Sequence, residues 1–148
     1  MSVTVRNEKQ YCTFYLDNNF LGIAVTQVQE VLKYQQMTIV PLSSDVVAGL
    51  INLRGQIVTA LDLRKVMGLD SLQDRLPMNI VVQGDDGPLS LLVDEIGDVV
   101  EVDTEFFEDP PETLELSFRH LIQGVYKLEG KLMLVLDLQR AVFSLVDA

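Results

Sequence analysis

Residues 49–64 read GLINLRGQIVTALDLR and residues 124–139 read GVYKLEGKLMLVLDLQ, so one motif occurs twice, 75 positions apart. The pairs Gly49/Gly124, Leu53/Leu128, Gly55/Gly130, Leu61/Leu136, Asp62/Asp137 and Leu63/Leu138 are identical, and Leu50/Val125 and Ile57/Leu132 match in apolarity. In each copy an apolar segment reaches a Gly with a polar or charged neighbour, able to supply a turn of positive φ, and a second apolar run follows. That pattern predicts a hairpin ending at Asp-Leu. Ile57, Val58 and Leu61 in one copy, and Met133 to Leu136 in the other, are too continuously apolar for a half-solvated strand. Both second strands are therefore expected to be covered on two faces.

The segments upstream correspond as well. Phe14 to Leu16, a turn at Asp17, Asn18 and Asn19, and Phe20 to Val25 predict one hairpin; Asn79 to Gln83, the turn GDDGP at 84–88, and Leu89 to Val93 predict another. Similar strings follow, GIAVTQVQEVL at 22–32 and SLLVDEIGDVV at 90–100, at an offset of 68. Two small β-units are expected, each closing on itself. Helix is scarce. LRKVMGL after Asp62 predicts two turns stopped by Gly68, and after Asp137 the residues Leu138, Ala141, Val142, Leu145 and Val146 fall on one face of an amphipathic terminal helix. VTQVQEVLKY at 25–34 is a further candidate for a short helix, opposed by its β-branched content.

Each unit of about 70 residues would have a marginal core alone, so the two are expected to lean on each other. The polar N-terminus MSVTVRNEKQ lacks a signal-peptide core, and no apolar run approaches the roughly 20 residues of a membrane helix. With one cysteine, Cys12, no internal disulfide is available, and the expectation is a soluble protein of the reducing cytoplasm without membrane insertion. The net charge of −11 sits in one place: between Arg75 and Arg119 there are 12 acids and no Lys or Arg. Phosphate backbones would be repelled there, which argues against nucleic acid as a partner. A solvated, solubilising segment is preferred to an acidic docking surface, and Pro110-Pro111 mark it as a crossover.

Catalytic chemistry has little support. The repeat-related Asp62 and Asp137 invite comparison with a shared-proton carboxylate pair. Each is followed by Leu and then Arg64 or Gln139, not by the small hydroxyl residue and Gly of such sites, so each reads as the N-cap of the following helix. His120, expected at the surface or a strand edge, and Cys12 complete no metal set or nucleophile pair, and GDDG lacks the Lys and Ser/Thr of a phosphate loop. No catalytic residue, cofactor or metal is assigned.

Binding is left. Arg54 lies at the tip or flank of its hairpin among Asn52, Leu53 and Gly55, and its repeat partner is Glu129. A polar site at which duplicated copies differ is not demanded by their common scaffold. Two readings stand for Arg54: partner contact, or a brace bonded to loop carbonyls or to a carboxylate such as Asp62. Val28 reads as core and Glu30 as solvent-exposed.

At these residues the chain resembles the CheW-like domain family of bacterial chemotaxis adaptors. GLINLRGQIVTALDLR matches its signature, and the hairpin 11–25, VQEVL at 28–32, LLVDEIGDVVEV at 91–102 and GVYKLEGKLMLVLDL at 124–138 follow in family order. The resemblance implies a single domain over 1–148, mainly β: two five-stranded SH3-like β-barrel subdomains packed through a shared core, about 12–70 and 76–138, with a short C-terminal helix at 138–147 packing across. It implies a non-enzymatic scaffold that takes the helical cytoplasmic tip of a methyl-accepting chemoreceptor and the regulatory domain of the histidine kinase CheA, at membrane receptor arrays. Val28, Glu30, Gly49 and Arg54 match family contact positions, with Asn52, Gly55 and Ile57 supporting the motif loop. Ser44 and Thr59 stand where many relatives have Pro, and Ser90 where they have Gly. The alternatives are an adaptor of another chemosensory pathway such as twitching motility, or a β-barrel module binding an unrelated helical peptide.

Overall fold

The structure, a computed structural model, describes residues 7–41, 43–72 and 74–146, the last four by backbone alone. Four hairpins form where turn residues interrupt apolar runs. β1 (Glu8–Leu16) and β2 (Asn19–Ala24) turn at Asp17-Asn18, with Asp17 at φ 53°; β6 (Met78–Gly84) and β7 (Gly87–Val93) turn at Asp85-Asp86. The two motif copies give β4 (Val47–Leu53) with β5 (Gln56–Asp62), and β9 (Ile122–Leu128) with β10 (Lys131–Leu136). β3 (Val28–Leu32) and β8 (Glu95–Asp103) follow the upstream hairpins.

The strands assemble into two five-stranded sheets, ordered β8-β1-β2-β10-β9 and β3-β6-β7-β5-β4. Each sheet takes its first hairpin from one half of the chain and its remaining three strands from the other. The expected division at about 70–76 is therefore not the division of the sheets. The registers repeat in detail: Tyr15↔Phe20 in one sheet corresponds to Gln83↔Pro88 in the other, the parallel pair Leu134↔Leu21 to Thr59↔Leu89, and a bulge recurs at Val135/Leu136 and at Val47/Gly49. The repeat is an internal exchange of hairpins between two copies of one unit. Parallel pairing of β2 with β10 and of β5 with β7 is what this exchange requires, because hairpins alone produce antiparallel neighbours.

Among the described residues three apolar clusters result. The largest, with Phe14, Leu16, Leu21, Leu61, Leu63, Ile80, Leu91, Leu134 and Leu136, draws on both sheets and is the shared core. A second, aromatic cluster belongs to the first sheet (Tyr11, Phe20, Tyr126, Met133, Val135), and a small third one to the second sheet (Ile51, Val58, Ala60, Leu92). Alternation sends one side of β5 and of β10 into the shared core and the other into its own sheet's cluster, so their near-continuous apolarity is required by burial on two faces.

Asp62 caps α1 (Leu63–Val66) by accepting from the N–H groups of Arg64 and Lys65, at 3.1 and 3.4 Å, and Gly68 at φ 79° follows its end. Asp137 accepts from the Arg140 N–H at 3.1 Å at the start of α3 (Leu138–Val146), which buries Leu138 and Ala141 in the shared core. Residue 147 and the side chains of Leu145 and Val146 lie outside the described set. Two local expectations change. Residues 25–34 form a single 3-10 turn, Val25–Gln27, before β3, as their β-branched content favours. His120 is exposed, but it ends a short helix, α2 (Leu116–His120), that sequence periodicity did not announce.

Candidate functional site

The β4–β5 turn places Arg54 and Gly55 at its two central positions with φ of 50° and 86°. Positive φ at both is the backbone of a type I′ turn, whose twist suits a two-residue hairpin. Asn52 holds it there, its Oδ1 accepting from the Gly55 N–H at 2.9 Å. The matching turn at Glu129-Gly130 has positive φ at the glycine alone. An Arg in the left-handed region costs on the order of 1 kcal/mol that the scaffold avoids in the second copy. Both side chain and backbone of Arg54 are thus peculiar to one hairpin.

Arg54 is bonded through Nη2 to the Glu30 carboxylate on β3. Its side chain is 69% exposed and that of Glu30 22%. β3 and β4 are the outermost strands of their sheet, so this pair joins opposite edges and curls the sheet toward a barrel. The structure corrects two expectations: Glu30 is half-buried and paired, not simply solvated, and the carboxylate bracing Arg54 is Glu30, not Asp62. At the corresponding place in the first sheet stand Glu129 and Asp98, which share one sign of charge. The closing ion pair is possible in only one of the two sheets.

The other candidate residues divide by burial. Val28 is partly buried against the shared core. Ile57 lies opposite Asn52 on the same face of β5 as core residue Leu61, yet is 60% exposed. Gly49 is buried, and its repeat partner Gly124 explains why. Segment 37–38 crosses Gly49 and bridges Thr38 to Leu50, as segment 107–108 crosses Gly124 and bridges Glu108 to Val125. A Cβ on Gly49 would lie 2.8 Å from the Thr38 carbonyl, and one on Gly124 2.6 Å from that of Glu108. The identical glycines are crossing points of two straps, and Gly49 offers a partner almost no surface.

Sequence reasoning missed a buried cluster of charge. Arg64, 7% exposed, donates from Nη1 to Asp17 Oδ1 at 2.7 Å and to Asp94 Oδ2 at 2.6 Å, and from Nε to the Asp70 carbonyl at 2.6 Å. The Asp17 N–H also donates to Asp94 Oδ2, at 2.7 Å. Burial alone would lower the Arg64 pKa, but bonds to and charges of Asp17 and Asp94 hold it above its ordinary value. Asp17 belongs to the first sheet and Arg64 follows the second, while Asp94 links β7 of one to β8 of the other, so the cluster clasps the two together. One signal was available: Arg64 corresponds to Gln139, another site where the copies disagree.

No helix among the described residues is long and apolar enough to cross a membrane, and no three His, Cys, Asp or Glu residues there are grouped to hold a metal ion. The family model of the CheW-like domain matches residues 10–144. Over 138 residues the chain is 28% identical to the chemotaxis protein CheW of Bacillus subtilis, covering 93% of this chain and 88% of the relative. It is also 28% identical over 135 residues to that of Thermotoga maritima, covering 91% and 88%. Among solved structures it resembles the scaffolding protein TtCheW of Thermoanaerobacter tengcongensis, with a TM-score of 0.77 and 27% identity over 86% of this chain and 88% of the other.

Proposed function

This chain belongs to the CheW-like domain family, and we propose that it is the adaptor that places the histidine kinase CheA under the control of chemoreceptors in cytoplasmic arrays at the membrane. It is a non-enzymatic chemotaxis scaffold, and its work is to hold partners together. The observation that carries the reading is the Arg54–Glu30 pair, present in one sheet and replaced by two acids in the other, with Ile57 exposed on the adjoining strand β5. Arg54, Glu30 and Ile57 form the surface for the helical receptor tip, with Val28 supporting them at the edge of the shared core. Asn52 and Gly55 fix the turn, and Gly49 seats the strap behind it. A helix lying across such a surface is held by an apolar anchor and a charged neighbour, the usual economy of helix-in-groove recognition.

The test is reconstitution with a CheA kinase and receptor fragments. Wild-type protein is expected to restore receptor control of autophosphorylation. Arg54→Asn keeps a residue tolerant of positive φ, so fold and stability should hold within about 1 kcal/mol while receptor binding falls about tenfold. A folded Arg54→Asn variant with wild-type binding would remove Arg54 from the contact surface.

A further inference from the structure

Glu30 is carried by β3, and β3 is weakly held. It is an outer strand of five residues with a bulge between Val28 and Glu30, so beyond the bulge the pairs Glu30↔Val81, Val31↔Ile80 and Leu32↔Asn79 are what join it to β6. In the first sheet the corresponding ladder runs on through Lys9↔Val102 and Glu8↔Asp103. Pro77 stands where Lys9 does and has no N–H to offer, and the second ladder stops at Asn79. Strand ends fray at little cost, and this end, Leu32, lies two residues from Glu30.

Side chains replace the missing rungs. Asn79 Nδ2 donates at 3.2 Å to the carbonyl of Lys33, one residue past the end of β3, and Ser90 Oγ on β7 donates to Asn79 Oδ1 at 2.7 Å. Asn79 and Ser90 are both fully buried. A carbonyl can only accept, so the amide nitrogen must face Lys33, and the amide oxygen is left for Ser90 to satisfy. Gln35 also donates to the Lys33 carbonyl, at 3.1 Å, but from two residues along the same segment, so its bond anchors β3 to nothing. At the other end of β3, Gln83, again from β6, donates to Gln29. Glu30 is held between these two anchors.

The common scaffold does not require the buried pair. In the first sheet Tyr11 and Gly22 occupy the corresponding positions, and Tyr11 packs against Tyr126 with ring centroids 5.7 Å apart. A Cβ on Gly22 would lie 2.8 Å from Met133 Sδ, whereas the smaller Val58 takes the place of Met133 in the second sheet and leaves room for Ser90. The sheet that contains the Arg54–Glu30 pair is thus the one that contains Asn79 and Ser90.

We infer that Asn79 and Ser90 are positioning residues of the partner-binding surface. By holding the Lys33 carbonyl they fix the end of β3, and so present the Glu30 carboxylate to Arg54 before a partner arrives. Both are buried, so they act through Glu30 and not by touching the partner. The inference rests on the adaptor reading and names what preorganises its receptor-binding face. Preorganisation raises affinity by removing the cost of ordering that surface at the moment of binding.

Asn79→Val combined with Ser90→Ala tests this in the full-length chain. Together they replace two bonded polar groups by apolar ones of similar size, which is nearly neutral for stability, and they release the Lys33 carbonyl. Affinity for a chemoreceptor cytoplasmic fragment is expected to fall about fivefold, the worth of one hydrogen bond. A role acting through Glu30 disappears in a Glu30→Gln background, whereas a merely structural one lowers affinity by the same factor in both. The loss is therefore expected with Glu30 in place and absent with Glu30→Gln. Wild-type affinity in the folded double variant, or an equal loss in the Glu30→Gln background, overturns the positioning role and leaves the adaptor reading intact. A receptor fragment that fails to bind the wild-type chain sinks both. Should the double variant not fold, amide exchange in the wild type decides. The amides of residues 30–33 that face β6 are expected to be as protected in the free protein as with the fragment bound, and protection that arises only on binding overturns the inference.

Discussion

Replacing Arg64 with Ala should be the most damaging single change among the charged residues described. Arg64 is 7% exposed and Asp94 2%, and one oxygen of Asp94, Oδ1, is buried with no partner even in the intact protein. Without the guanidinium, Asp94 retains the Asp17 N–H as its donor at 2.7 Å and becomes a buried, uncompensated charge. Breaking a buried pair from one side costs roughly 3–5 kcal/mol. Asp17, whose side chain is 51% exposed, rehydrates readily, so the lower part of that range applies, about 3 kcal/mol. Loss of the bond to the Asp70 carbonyl adds about 1 kcal/mol. A total near 4 kcal/mol lowers the melting temperature by about 12 °C in a domain of this size, or the urea midpoint by about 2 M for a slope near 2 kcal/mol/M. Far-UV circular dichroism is the assay, since the chain has no tryptophan. Adding Asp94→Asn to Arg64→Ala removes the stranded charge and should recover at least half of the loss. A cost for Arg64→Ala below about 1 kcal/mol, the worth of a surface pair, or a second substitution that deepens the loss, would refute the clasp.

The strap crossings predict that Gly124→Ala costs about 2 kcal/mol by overpacking against the Phe107 ring and the Glu108 carbonyl. Amide exchange at Glu108 and Val125, which bond each other at 3.0 and 2.8 Å, should lose protection; unchanged exchange would mean that the strap does not need the glycine. Tyr11 supplies a dependence on pH. Burial, and next its contact with Tyr126, push its hydroxyl above the ordinary tyrosine range. The unfolded chain therefore ionises first: stability holds below about pH 10 and declines above it by up to about 1.4 kcal/mol per pH unit. Tyr11→Phe should remove one such slope from alkaline unfolding, and an unaltered slope would assign the decline elsewhere.

How much of this was legible beforehand depends on the span of the interaction. Turns at Asp17-Asn18, Asp85-Asp86, Arg54-Gly55 and Glu129-Gly130, and caps at Asp62 and Asp137, are settled by residues within three or four positions, and sequence reasoning located each of them. It also named Arg54 as a place where the copies differ. It did not supply the partner of Arg54, because Glu30 lies 24 residues away and meets it only when opposite edges of a sheet curl together. Arg64 read as one more helical residue after a cap, since the acids it joins are 47 and 30 residues distant.

The sequence by itself determined the repeat, its hairpins, its caps and the family, because turn propensity, capping and apolar periodicity are local and survive duplication. Only the tertiary structure decided which strands share a sheet. Each half's first hairpin is completed by the other half, a choice made by burying two faces of β5 and β10 at once, and periodicity is the same for either arrangement. From that exchange come the shared core, the clasp and the straps over Gly49 and Gly124. These depend on side chains brought together from distant strands, and distance in space is what the order of residues does not state.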